Sequence, residues 1–384
     1  MFEISEMFQK KGIECITTSG YSNHPIQQLK EDNRFVGGMF SKGLYKIFSY
    51  VSGIDGIGAP LATIKLLRSI HPDLIHLHNL HGWYINWPIL FRYIKKHNIP
   101  VIWTLHDCWA FTGRCPHFLI SKCDSWKTDC SNCKYAGDNY PNTLINHSKL
   151  MRKLKEQWFS NVKCMKIVTP SMWLSDLTKE SFLKQYDIKV INNGIDLNVF
   201  KPVKSNFRVN YGFEDKKIIL GVSFGWNIKK GLDVFINLAE NLKENYQIIL
   251  VGTDDVVDKM LPANILSIHR TQNQQELVEI YSSADVFVNP TREENYPSVN
   301  MEALACGTPV ITFDTGGSSE ILNDTCGIVI PVDDVDSLRK AISFVCNEGV
   351  FNKQDCLKRA EEFDKKKRYE EYFELYEEII NEYS

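Results

Sequence analysis

Short apolar runs alternate along the chain with amphipathic stretches of helical spacing. An apolar run bounded by turn formers reads as a buried strand, and a three-to-four spacing reads as a helix packed on one face. In the first half, strands are expected at 13–17, 74–78, 101–106, 166–169 and 189–192. Residues 3–12 read as the end of an amphipathic helix closed by Gly12, and another helical pattern follows His81-Gly82-Trp83-Tyr84 to about Lys96. In the second half, strands are expected at 217–222, 247–252, 265–269, 285–289, 309–313 and 327–330, with helices notably over 231–242 and 273–283. Strands alternating with helices predict parallel pairing in an α/β fold.

The run from Asn192 to Pro202 is rich in turn formers and marks a boundary. It predicts an N-terminal Rossmann-like domain over 1–193, a second over 194–364, and a closing helix over 365–384 that packs back on the first. Open α/β sheets bind ligands outside the carboxyl ends of their strands. His81, His106, residues 225–230, Glu294 and Asp314 all sit at such ends, and a cleft between the domains is the expected binding place.

Composition excludes several classes. A hydrophobic content of 43% and a charged content of 24% are globular, and a net charge of -3 gives nucleic acid no electrostatic hold. No apolar run reaches the roughly 18 residues of a spanning helix. The first residues lack a signal peptide's basic and apolar regions, so a cytoplasmic protein is expected. Of eleven cysteines, six are scattered as buried thiols would be, and five cluster between Cys108 and Cys133, in a loop from about Asp107 to Tyr140. Cys130-x-x-Cys133 has zinc-knuckle spacing and makes a four-thiolate set with Cys115 and Cys123. Buried reduced thiols are the alternative, and a closed zinc site would be structural.

The candidate chemistry centres on 289–311. A strand ends in a polar loop, and a helix starts near Pro297 and Ser298 and stops at Gly307. The helix N-terminus offers N–H groups and a positive dipole end to a phosphate. Glu294 and Glu302 flank this turn and suit sugar or ribose hydroxyls, so the element fits a nucleotide-sugar. Lys229 and Lys230 suit either a diphosphate or a solvated helix start. Gly316 and Gly317 suit either a close ligand approach or a helix entry turn. His106 beside Asp107 suits proton relay or a core histidine.

The run from Val286 to Ile321, with Glu294, Glu302, Ala303-Leu-Ala-Cys-Gly-Thr-Pro-Val310 and Gly316-Gly317-x-x-Glu320, resembles the retaining GT-B glycosyltransferases of family 4. So do Lys230-Gly231-Leu232, Thr169-Pro-Ser-x-Trp173 and Asn193-Gly194-Ile195-Asp196. Thr104-Leu-His-Asp-Cys-Trp-Ala-Phe-Thr-Gly113 and the cysteines after it resemble the branch that assembles bacterial exopolysaccharide and O-antigen units. The resemblance implies two Rossmann-like domains and transfer of a hexosyl group from a UDP- or GDP-linked sugar, with retention and without a catalytic metal. The implied acceptor is a glycan or lipid-linked glycan, with peripheral contact to the inner membrane. By this likeness Glu302 binds the ribose, Glu294 faces the donor sugar, and Lys230 holds the diphosphate, helped by Lys229, Gly225 and the backbone over Asn295, Tyr296, Pro297, Ser298 and Val299. His106 sits by donor sugar and acceptor.

Three departures accompany the likeness. The arginine many relatives carry after the first strand of the second domain is replaced within Ser223-Phe-Gly-Trp-Asn-Ile-Lys-Lys230. Glu293 stands beside Glu294 and competes for its role. The family begins with a strand and a glycine-rich loop, and this sequence reads as starting at the helix after them, either truncated or lacking that strand, which keeps an inactive nucleotide-binding scaffold among the alternatives, beside an epimerase or a phosphorylase.

Overall fold

A computed structural model of the chain describes residues 1–20, 33–131, 133 and 143–383. The end of the expected cysteine loop, 134–140, lies outside those residues. The chain divides into two compact units, Met1–Ile191 with Tyr369–Ser384, and Asn192–Arg368.

The first unit is built on a parallel sheet with the order Ile75–Leu77, Val101–Thr104, Met165–Thr169 and Asp187–Val190. Both middle strands are buried along their whole length, as a parallel sheet covered on two faces requires. The helix Trp87–His97 is set locally: the Asn86 side chain accepts from the Ile89 N–H at 3.1 Å, proline occupies the first turn, and Asn98 ends it in the left-handed region. Its apolar face meets an aromatic core, in which Phe91 and Trp103 both pack on Phe159, at 4.7 and 4.9 Å between ring centres. The opposite face of the sheet, at Ile102 and Val168, is covered by Ile4 and Phe8 of the helix Phe2–Lys10 and by Tyr372, Leu375 and Ile379 of the helix Lys365–Tyr383. Lys166 fixes the latter helix through Glu378 and Glu382, at 2.6 and 2.8 Å.

The strand expected at 13–17 lies instead at Thr17–Gly20, paired in parallel with Asn33–Val36 in a two-stranded sheet. The cause is the helix end. Gly12 adopts φ +84°, and the Ile13 N–H turns back to the Phe8 carbonyl at 3.1 Å, so the residues after Gly12 finish the helix before the chain extends.

The second unit carries a six-stranded parallel sheet in the order Gly327–Ile330, Val310–Phe313, Val286–Asn289, Lys217–Val222, Tyr246–Val251 and Ile265–Ile268. Side chains alternate between faces: Ile218 and Leu220 enter one core cluster and Ile219 the other. Numbered within the unit, the spatial order is the Rossmann order. Its switch point falls between Lys217–Val222 and Val286–Asn289, and ligands bind outside the carboxyl ends there.

Candidate active site

Both strands at the switch point end in loops that are fastened to each other. After Val222 the chain turns, and the Trp226 indole N–H anchors it on the Val251 carbonyl at 3.0 Å. The Asn227 side chain then accepts from the Lys230 N–H at 3.1 Å, closing the short turn Ile228–Lys230. Gly231 follows at φ +76°, where a Cβ would stand 2.5 Å from the Pro290 carbonyl oxygen. From the other loop, the Arg292 N–H donates to the Lys229 carbonyl at 2.8 Å, and its guanidinium grips Asp233 through two bonds of 2.8 Å and Asp333 at 2.7 Å. This bidentate clamp holds the lysines opposite the glutamates. Lys229 Nζ lies 2.9 Å from Glu293 Oε2, and Lys230 Nζ lies 2.8 Å from Glu294 Oε2.

Gly316 and Gly317 serve the loop backbone. Gly316 has φ +58°, and a Cβ there would meet the Glu294 carbonyl oxygen at 2.0 Å. The Gly317 N–H donates to the Asn295 carbonyl at 2.7 Å. Asn295 in turn donates its N–H to Glu294 Oε1 at 3.0 Å. Gly225, at φ +110°, has open space where its Cβ would be.

The helix Ser298–Ala305 begins after Pro297, and its first-turn N–H groups, among them Ser298 and Val299, lack partners within the helix. Glu302 lies one turn in and accepts from the Tyr281 hydroxyl at 3.1 Å. Burial raises the Glu302 carboxyl above its ordinary 4.5, against hydrogen bonds from Tyr281 and Ser298 that pull it down. The Tyr296 side chain is only 5% exposed and packs toward Phe363, so this residue offers the loop its backbone rather than its ring.

In the first unit, the strand ends gather a histidine cluster around a small pocket lined by His78, His81, His106, Asp107 and Trp109. The expected His106–Asp107 partnership is replaced by two others. Asp107 is extended, with φ -158°; its carboxylate meets His81 Nε2 at 3.2 Å and accepts from the Trp109 N–H at 2.8 Å. His106 Nε2 instead meets His78 Nδ1 at 3.0 Å, with the rings stacked. Burial lowers the His106 pKa against the opposing charge of Asp107. For Asp107, burial pulls upward, and bonds from His81 and Trp109 outweigh it, leaving the carboxyl below its ordinary value. His76 bonds Thr104 at 2.8 Å and Tyr376 at 2.5 Å, and burial, the amino terminus and His106 push it down to about 3.

Residues 2–199 match the model of Glycosyltransferase Family 4, over half of the 384 residues, and residues 203–368 match that of glycosyl transferases group 1. The chain belongs to Glycosyltransferase Family 4. It is similar to WcaC of Escherichia coli K12, described as a colanic acid biosynthesis glycosyl transferase, at 25% identity over 70% of this chain and 67% of WcaC. It is also similar to the N,N'-diacetylbacillosaminyl-diphospho-undecaprenol alpha-1,3-N-acetylgalactosaminyltransferase of Campylobacter jejuni, at 26% identity over 52% of this chain and 56% of that enzyme. The chain spans about half the length of several curated relatives it matches. Among solved structures, HepE of Anabaena in complex with UDP superposes with a TM-score of 0.62, at 15% identity, covering 83% of this chain and 82% of HepE. The two parallel-sheet Rossmann-like units are thus those of a GT-B glycosyltransferase.

Two features of this family 4 glycosyltransferase stand apart from these clusters. The four cysteines 115, 123, 130 and 133 line one pocket of the first unit. Among the described residues, the one group of three metal-type ligands with all ligand atoms within 4.8 Å of one another is Asp255, Asp258 and His269, all exposed, with His269 already 2.6 Å from Asp258. No helix of the described residues is long and apolar enough to cross a membrane.

Sequence reasoning missed the Arg292 clamp and the His78–His106 contact. The signal for the first was weak, because one arginine in a polar loop looks like a surface group. For the second, histidines at the ends of two adjacent parallel strands were the available sign.

Proposed function

We propose that the protein transfers a sugar from a UDP- or GDP-linked donor to a glycan or lipid-linked acceptor, with retention, in bacterial surface polysaccharide assembly. One observation carries the reading. At the switch point of the second unit, two lysines stand in register with two glutamates, beside a helix N-terminus and a buried glutamate. Lys230, with Lys229, would take the diphosphate, and the Ser298 and Val299 N–H groups would add fixed dipoles. Glu302 would accept ribose hydroxyls, and Glu294 would face the donor sugar. The bond from the anomeric carbon to the diphosphate breaks, and the acceptor oxygen bonds that carbon on the same face. The acceptor's proton passes to the departing phosphate oxygen, so the protein's part is stabilising leaving-group charge. The first unit would take the acceptor, with His106 among its hydroxyl partners.

Contact with a membrane carrying a lipid-linked acceptor is supported by the helix Met39–Ser52. Phe40 is 81% and Ile47 62% exposed, and Leu44, Phe48 and Val51 continue the same stripe. The helix carries Lys42 and Lys46 and no acidic residue, the composition of an interfacial helix on anionic lipid. The test is calorimetric titration with UDP, GDP and their sugar conjugates, followed by turnover of the best ligand. Absence of binding by every one would overturn the reading.

A further inference from the structure

We propose that Cys115, Cys123, Cys130 and Cys133 hold one zinc ion in a closed four-thiolate site that fastens the segment 108–133 to the first unit. The site does not depend on the reading of the donor residues above.

The four cysteines come from three separate turns of the segment and line a single pocket with Gly113, Trp126 and Ser148. None is in a disulfide. Cys130 takes a left-handed backbone, φ +53°. The Gly113 N–H donates to its sulfur at 3.2 Å. A backbone N–H aimed at sulfur is the outer-shell support that a metal-bound thiolate uses. Among the described residues no three of the sulfurs lie all within 4.8 Å of one another. The ion would therefore draw them together, to zinc–sulfur distances of about 2.3 Å, and displace their protons to solvent.

A second, independent observation is the charge beside the pocket. Lys155 is fully buried, and its ammonium donates to the carbonyls of Trp109 at 2.6 Å and Thr112 at 3.3 Å. Thr112 itself lines the cysteine pocket. No carboxylate lies within salt-bridge reach of Lys155 among the described residues, whereas Arg114 meets Asp55 at 3.4 Å and Arg152 meets Glu156 at 3.0 Å. Asp55 and Asp107 act on this ammonium only from beyond salt-bridge distance, so a nearer anion would stabilise it. Zinc with four thiolates carries net negative charge and supplies one. The geometry also gives the metal a purpose. The Cys108 N–H bonds the Pro116 carbonyl at 2.9 Å, so the stapled segment holds the stretch that presents Asp107.

The experiment uses the full chain, purified without added metal and analysed by inductively coupled plasma mass spectrometry. About one zinc per chain is expected from a single four-ligand site. The paired substitution Cys130→Ser with Cys133→Ser removes it, and Cys15→Ser leaves it in place. Should the paired variant fail to fold, cobalt exchanged into the wild-type chain decides. Intense thiolate-to-cobalt charge transfer with tetrahedral d–d bands is expected, and an octahedral spectrum or no cobalt uptake overturns the site. Zinc-free protein whose four thiols react with maleimide in the native state, or are found as disulfides by mass spectrometry, also overturns it.

Discussion

Lys230 Nζ lies 2.8 Å from Glu294 Oε2, and one residue earlier Lys229 repeats the contact with Glu293 at 2.9 Å. The two pairs are not equivalent. The difference lies in the carboxylates: Glu293 is 7% and Glu294 23% exposed, while both lysines reach solvent. Under the proposed function, Lys230 and Glu294 would face the donor, Glu293 would hold the loops, and Lys229 would assist Lys230.

Lys230→Ala is accordingly expected to lower kcat/KM for the nucleotide-sugar about 100-fold, the usual loss of one fixed donor at a developing charge. Lys229→Ala, which removes the assisting cation and the partner of the buried Glu293, is expected to cost less turnover than Lys230→Ala and some thermal stability. Steady-state rates set beside melting curves separate the two; equal kinetic losses in both variants would undo the assignment.

Glu302→Ala is expected to abolish nucleotide-sugar turnover with the fold intact, as judged by circular dichroism. The carboxyl also gives a pH signature. Its folded-state pKa is raised by burial, so in stability it favours folding below its ordinary 4.5, and that advantage is lost as pH rises through the folded value. Nucleotide binding runs the opposite way, because the ionised carboxylate accepts the hydroxyls. Affinity for the nucleotide should begin to fall on acidification while the pH is still above 4.5. Glu302→Gln should flatten this profile; an unchanged profile would release Glu302 from the role.

Gly316→Ala tests the backbone of the donor loop. The added Cβ meets the Glu294 carbonyl at 2.0 Å, in a region of positive φ, so the loop must shift. A loss of about 1–3 kcal/mol in unfolding free energy is expected, with reduced turnover. Denaturant titration measures the first, and a wild-type midpoint would show that the loop yields freely.

The membrane face is tested by Phe40→Glu combined with Ile47→Glu. Each apolar side chain is worth about 1.5–3 kcal/mol when buried. Partition onto phosphatidylglycerol vesicles in a sedimentation assay should fall at least tenfold, roughly the effect of the loss of one such side chain. Equal binding by variant and wild type removes the face from consideration.

The second unit was legible because its strands are continuous apolar runs bounded by turn formers. Lys217–Val222 and Gly327–Ile330 stand where the pattern put them. The strand expected at 13–17 was misplaced because the helix end at Gly12 consumes residues whose apolar character looks like strand. The helix Met39–Ser52 was not among the expected elements although Phe40, Leu44, Ile47, Phe48 and Val51 recur at helical spacing; that this stripe faces outward needed the structure. In the site, adjacency misled at His106 and Asp107. Neighbours in an extended chain point to opposite sides, so the two reach different partners. The lysine–glutamate register needed the fold, since it depends on two strand ends being neighbours.

The helix Lys365–Tyr383 completes the first unit with residues synthesised after the whole of the second. Until Tyr372, Leu375 and Ile379 leave the ribosome, the sheet face at Ile102 and Val168 lacks part of its cover. The first unit therefore cannot finish folding during its own translation. A nascent chain stalled before Tyr369 would present apolar surface to chaperones although every strand of the three described sheets had already been made.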